Sequence, residues 1–336
     1  MKPDSLCFRV NRATGRMVFL PTVFVSVTDK CNSRCALCGI WKSTGNELTP
    51  AVIEESIAGL RHFGLRYVVI TGGEPLMRSD LFDVLERLSG RGLDLILCTN
   101  GILLKRRLEE VAKYFEAVVV SLDSHEPSLY EAVRGVDAFD EVVSGITAIA
   151  ERGLEVTIAH TLQKGNILHL VEFIGFVKKL GVYSVSVRPV DAYSEGFGSE
   201  YGQLPIRSGL LPSEDELAGF PEILARIEED FSADLASGFI TPNVGGLGKI
   251  RDYFLAGSYD SFPKIRCDAP FSSCVIESNG DVKPCFFSES FANVNGLPPA
   301  DVKGFMNADR ARKAREALKG QAAGICRKCA YPYIWL

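Results

Sequence analysis

Between residues 22 and 190, short apolar runs rich in β-branched residues alternate with segments of helical periodicity, which restricts the chain to repeated βα units around a parallel sheet. The spacing predicts strands at Val23–Val27, Tyr67–Thr71, Leu93–Thr99, Ala117–Ser121, Glu155–Thr161 and Ser184–Val190. Helices are expected between them, near Pro50–Phe63, Asp80–Arg91, Leu103–Tyr114, Phe139–Arg152 and Leu168–Leu180. Six such units fall short of a closed eight-fold barrel. Periodicity alone does not separate a curved partial barrel from an open doubly wound sheet.

The flanking segments read differently. Residues 1–21 carry scattered charges and lack the continuous apolar core of an export signal. Residues 191–261 open with a Gly-, Ser- and Tyr-rich stretch to Leu211, expected to be a linker or a substrate-covering loop, followed by helices near Ser213–Phe231 and Gly248–Leu255. Residues 262–336 gather five cysteines and are expected to form a second metal-binding unit. At 336 residues and 46% hydrophobic content the chain can bury a large core, yet no apolar run is long enough to span a bilayer. A net charge of -5, with no basic block longer than Lys105-Arg106-Arg107, argues against a nucleic-acid partner. We therefore expect a cytoplasmic protein, in which metal ligation or catalysis explains ten cysteines better than disulfides do.

Cys31, Cys35 and Cys38 follow the first strand at C-x3-C-x2-C spacing. A structural zinc or an electron-carrying cluster takes four such ligands, so three leave one metal position open to a reactant. Later strands end in Thr71-Gly72-Gly73-Glu74-Pro75, Thr99-Asn100-Gly101 and Ser121-Leu122-Asp123. In parallel βα architectures these ends share one rim, where ligands bind and glycine permits close backbone approach. Each motif alone is an ordinary turn or cap signal; their order on successive strands carries the weight.

In the C-terminal segment, Asn279-Gly280 lies between apolar alternating runs, a strong hairpin signal. That hairpin, with Cys267 before it, Cys285 at its end and the Cys326-x2-Cys329 knuckle later, can bring four thiolates together around zinc or an iron-sulfur cluster. Cys274 is surplus: a core cysteine, a replacement ligand or a hydrogen-atom donor. Cys7 and Cys98 read as core thiols. His62, His125, His160 and His169 show no metal-ligand spacing, although His160 is near enough to a strand end to face a cavity.

The cysteine triplet with its strand-end motifs resembles the radical S-adenosylmethionine (radical SAM) superfamily, and the C-terminal pattern resembles the four-cysteine form of its SPASM/twitch accessory domain. The resemblance implies an α/β fold, a partial (β/α)6 barrel with a C-terminal twitch/SPASM-like iron-sulfur domain. It implies that Cys31, Cys35 and Cys38 hold a 4Fe-4S cluster whose fourth iron binds SAM, and that Cys267, Cys285, Cys326 and Cys329 hold an auxiliary 4Fe-4S cluster. Gly72, Gly73 and Glu74 would receive the methionyl amino group, Ser121 and Arg134 its carboxylate, and Asn100 and Asp123 the ribose or the substrate. Leu37 departs from the family, where an aromatic residue often precedes the third cysteine; Trp41 offers another surface for adenine.

By the same resemblance, an external reductant such as flavodoxin or ferredoxin would supply the electron that cleaves SAM to a 5'-deoxyadenosyl radical, which abstracts hydrogen from an unactivated C-H bond. The auxiliary cluster suits electron removal, as in members that oxidise a secondary alcohol of an aminocyclitol, whereas hydrogen return by Cys274 would give epimerisation. Only about twenty residues precede the first strand, short of a winged-helix leader-recognition domain, so a small sugar-, cyclitol- or nucleoside-type substrate is expected over a ribosomal peptide. The alternative of another class is a non-catalytic iron-sulfur or SAM-binding sensor or electron-transfer protein.

Overall fold

The computed structural model describes residues 6–43, 45–192, 209–259, 262, 267–296, 301–319 and 324–330. The greater part of the loop expected from 191 to 211 lies outside the described residues. After helix α1 (Leu6–Thr14) come β1 (Thr22–Thr28), α2 (Pro50–Leu60), β2 (Tyr67–Gly72), α3 (Leu81–Leu88), β3 (Asp94–Thr99), α4 (Leu108–Tyr114) and β4 (Ala117–Ser121). Helices α5 (Pro127–Arg134) and α6 (Phe139–Glu151) then lead to β5 (Glu155–Leu162), α7 (Leu170–Lys178) and β6 (Ser184–Pro189). Next come α8 (Glu214–Asp230), α9 (Ser232–Ser237), β7 (Ile240–Thr241) and α10 (Val244–Tyr259). The C-terminal unit comprises α11 (Ala269–Ser272), β8 (Ser273–Ile276), β9 (Asp281–Lys283), β10 (Ala292–Asn293), α12 (Asp301–Phe305), α13 (Asp309–Leu318) and α14 (Gly324–Lys328).

Local chemistry sets several of these boundaries. The Thr49 side chain accepts the Val52 N–H to cap α2, with Pro50 in the first turn, where its missing N–H costs nothing. Ser213 and Glu216 form a reciprocal capping box at the start of α8. At the hairpin between β8 and β9, Gly280 takes φ +91°, a conformation that suits glycine.

The strands form one ten-stranded sheet in the order β10-β9-β8-β1-β2-β3-β4-β5-β6-β7. From β1 to β7 every pairing is parallel and follows chain order. A doubly wound sheet reverses its strand order at a switch point; this one does not, and it has the topology of a barrel wall. Two features were not legible in the periodicity. The segment expected to be linker and helix returns to the sheet as the two-residue strand β7, too short to show a period. The helix α5 precedes α6 where only one helix was expected. On the other side, β8 runs parallel to β1, so the C-terminal unit continues the barrel sheet through β8 and its antiparallel partners β9 and β10.

The two faces of the sheet differ sharply. Val23, Val25, Ile70, Leu97, Val120 and Ile158 point toward the helices and are fully buried. The alternate residues face the concave side: Ser26, Thr71, Cys98, Thr157, Ser184 and Ser186, all but Ser26 only partly buried. A closed barrel fills this space with layers of large aliphatic side chains. Here polar side chains are interspersed with apolar ones such as Phe24, Ile96 and Val119, and most are only partly buried. Among the described residues no helix is long and apolar enough to cross a membrane.

Candidate cluster and ligand site

Cys31, Cys35 and Cys38 stand in the loop after β1, each partly exposed. Backbone contacts from two sides hold that loop. The Arg34 and Ala36 N–H groups donate to the carbonyls of Arg134 (3.0 Å) and Val133 (3.1 Å) at the end of α5. The Gly73 and Glu74 N–H groups donate to the carbonyls of Thr28 (2.7 Å) and Lys30 (2.8 Å). A Cβ on Gly72 would sit 2.1 Å from the Thr28 oxygen, and one on Gly73 2.2 Å from the Lys30 oxygen. The glycine pair is therefore required by the close approach of the cysteine loop itself, a need the sequence reading had placed on a ligand.

Behind the loop, Glu74 is a buried hub. Its Oε1 accepts from the Leu76 N–H (3.0 Å) and the Thr99 hydroxyl (2.8 Å), and its Oε2 from the Asn100 N–H (2.7 Å). Burial pushes its carboxyl up to about 7 despite these three donors. Asn100 in turn directs its side-chain amide at Asn32 Oδ1 (2.7 Å), Ser33 Oγ (3.1 Å) and Cys31 Sγ (3.9 Å). Asp123 is equally committed: Oδ1 accepts the Thr161 N–H at 2.7 Å, and Oδ2 lies 2.6 Å from Arg134 Nη2. Arg134 Nη1 points at Cys35 Sγ, 3.8 Å away. Glu74, Asn100 and Asp123, read from the sequence as ligand contacts, are also joined by these bonds to the frame of the site. Ser121, at the end of β4, keeps a partly exposed place on the concave face.

The surroundings of the thiols fit an anionic iron-sulfur cluster. Arg134 Nε and the Tyr130 hydroxyl are buried without a hydrogen-bond partner, and both residues lie close enough to Cys35 to interact with it electrostatically. Burial pushes the Cys38 thiol up to about 11, so loading a metal there must release a proton. Tyr130 is a site residue the sequence reading missed, since it rides on the unanticipated α5.

The second thiol set also converges. Cys267, its thiol pushed up to about 12 by burial, feels both Cys285 and Cys326. Cys326 is raised to about 11 by burial and by Cys285. Cys329 is buried three residues further on.

The remaining thiols and His160 fall in different surroundings, and Cys7, read as a core thiol, is exposed. Cys274 is 1% exposed on the helix-facing side of β8, opposite Val23, and belongs to the hydrophobic core. Val23 stands five residues before Thr28, or about 16 Å along the strand from the cysteine loop. In this position Cys274 packs as a core cysteine, the first of the three roles open to it. Cys98, expected in the core, instead faces the concave side. His160 also turns away from that side: its ring packs 4.0 Å from Phe173 of α7, and its Nδ1 lies 3.2 Å from the Leu122 carbonyl.

Residues 25–177 match the family described as the radical SAM superfamily, and residues 267–330 match an iron-sulfur cluster-binding domain, SPASM. A probable GTP 3',8-cyclase of Thermococcus kodakarensis is 36% identical over 157 residues, covering 44% of this chain and 51% of the relative. Another, from Sulfurisphaera tokodaii, is 32% identical over 176 residues, covering 49% and 56%. The chain spans about half the length of these curated relatives. Among solved structures, Streptococcus suis SuiB matches 97% of this chain and 74% of its own with a TM-score of 0.66 and 18% identity. The structure of anSMEcpe with bound AdoMet and Cp18Cys peptide matches 94% and 87% with a TM-score of 0.65 at 18% identity. At such identities the likeness is one of fold.

Proposed function

We propose that this chain, a member of the radical SAM superfamily with a SPASM iron-sulfur cluster-binding domain, is an enzyme that acts on a small molecule of sugar, cyclitol or nucleoside type by dehydrogenation or epimerisation. The observation that supports this reading is the set of hydroxyl side chains on the concave sheet face, Ser26, Thr71, Thr157, Ser184 and Ser186, which suits a hydroxyl-bearing ligand held among apolar neighbours such as Phe24, Ile96 and Val119. The GTP 3',8-cyclase relatives are named for a nucleotide, in keeping with the nucleoside end of that range.

Cys31, Cys35 and Cys38 would hold the first 4Fe-4S cluster, and Cys267, Cys285, Cys326 and Cys329 the auxiliary one. SAM would lie on the rim by Gly72 and Gly73, with Ser121 and Arg134 toward its carboxylate. Together the first cluster and SAM supply the hydrogen-abstracting chemistry when bound. The chain's own task is to orient the substrate and keep water from it. Glu277 offers a carboxylate near this face for the proton lost in a dehydrogenation: its Oε2 accepts from Ser26 Oγ at 3.1 Å, and its Oε1 lies 3.5 Å from Lys283 Nζ. Epimerisation by hydrogen return would fall to Cys98, since Cys274 faces the helices.

Anaerobic protein with reconstituted clusters, dithionite and SAM is expected to form 5'-deoxyadenosine, and Cys31→Ala to abolish it. GTP, myo-inositol and a short synthetic peptide would then be compared as stimulants of that reaction. Stimulation by the peptide alone would turn the reading toward a peptide maturase. No 5'-deoxyadenosine from protein with intact clusters would favour a sensor or electron carrier.

A further inference from the structure

We propose that Asn100 is a positioning residue for the first cluster, its side-chain amide donating toward the Cys31 sulfur and raising the reduction potential of the cluster that sulfur binds. This rests on the radical SAM reading and adds to it a determinant of how readily the cluster accepts its electron.

The orientation of the amide is settled by its surroundings. Asn100 Oδ1 accepts the Ile102 N–H at 3.1 Å, so the opposite end, Nδ2, must face the cysteine loop. There it reaches Asn32 Oδ1, Ser33 Oγ and Cys31 Sγ at 2.7, 3.1 and 3.9 Å. The first two contacts hold the loop in register and the third meets the ligand atom. The amide cannot drift, because Glu74 Oε2 clamps the Asn100 backbone N–H from the end of β2 and the residue is only 8% exposed. The end of β2 thus dictates where the end of β3 presents its donor. Cys35 has a counterpart in Arg134 Nη1 at 3.8 Å, whereas Cys38 is met by the backbone N–H of Ile40.

Reduction adds one negative charge to the cluster and its thiolates. A donor aimed at a ligand sulfur stabilises that charge, more so where water is excluded, and so shifts the potential upward. Asn100 has this geometry without a free group left for ribose or substrate.

The test uses the full chain, reconstituted anaerobically, as wild type, Asn100→Leu and Asn100→Asp. Iron and sulfide are counted, and the midpoint potential of the first cluster is titrated by EPR without substrate. SAM-induced changes in the EPR signal are recorded alongside. Both variants should retain iron and become harder to reduce, the reduction equilibrium falling about tenfold for Asn100→Leu, which is about 59 mV for one electron. Asn100→Asp should fall further, because it places negative charge where the donor stood. If Asn100→Leu fails to take up its cluster, the isosteric Asn100→Asp carries the test. A wild-type potential in a fully loaded variant overturns the proposal. So does loss of the SAM-induced signal with the potential unchanged, which would assign Asn100 to SAM contact. A wild-type protein with no reducible cluster brings down the family reading as well, whereas unchanged potentials in an enzyme that binds SAM bring down this inference alone.

Discussion

At the scale of single residues, the site is governed by what each side chain is already doing. Gly73 has no room for a methyl group, since the atoms within 3 Å of a Cβ there are all backbone of the cysteine loop. Gly73→Ala should therefore cost at least about 1–3 kcal/mol and reduce cluster retention. Gly248 in α10 meets nothing within 4 Å, so Gly248→Ala should be neutral or gain roughly 0.5–1 kcal/mol. Thermal melts with iron analysis distinguish the two. His160 supplies a pH prediction. Burial holds its ring down to about 4 against an ordinary 6.5, so the unfolded chain binds a proton that the folded one refuses. The stability it protects is whole above pH 6.5 and is lost as pH falls toward 4, by as much as about 3 kcal/mol. Urea denaturation at pH 7 and pH 5 should show a smaller acid loss for His160→Phe than for wild type; equal losses would reject that assignment.

Among the elements, strand register decides what composition cannot. Cys98 and Cys274 are both thiols in apolar runs, and their neighbours in sequence do not tell them apart. Pairing does: Cys274 stands opposite Val23 on the helix side, and Cys98 opposite Val119 on the concave side. Cys274→Ser should thus bury an unsatisfied hydroxyl and cost about 1–3 kcal/mol, with iron content and 5'-deoxyadenosine formation retained. Denaturation and a product assay together check this; loss of turnover at wild-type stability would restore a chemical role to Cys274. The hairpin between β8 and β9 was legible because Asn279-Gly280 is a local conformational signal. The strand β7 and the helix α5 were not, being short elements held in place by tertiary packing.

For the whole molecule, the decisive feature is that the C-terminal unit is joined to the barrel by main-chain pairing of β8 with β1. This ties the hairpin bearing Cys285 to the strand that leads into Cys31, so the two thiol sets share one sheet. Hydrogen exchange should then protect the paired amides of β8 and β1 to a similar degree, since a shared ladder opens as one unit. Much faster exchange across β8 would mean an independently opening domain. The sequence by itself determined the repeated βα units and the grouping of the cysteines into two sets, because hydrophobic periodicity and residue spacing are written in neighbouring residues. The tertiary structure decided how those residues are packed and paired. Glu74, Asn100 and Asp123 sit in motifs that read as ligand contacts, and burial and hydrogen bonding across separate strands also join them to the frame, while register and packing turn Cys98 inward and Cys274 away.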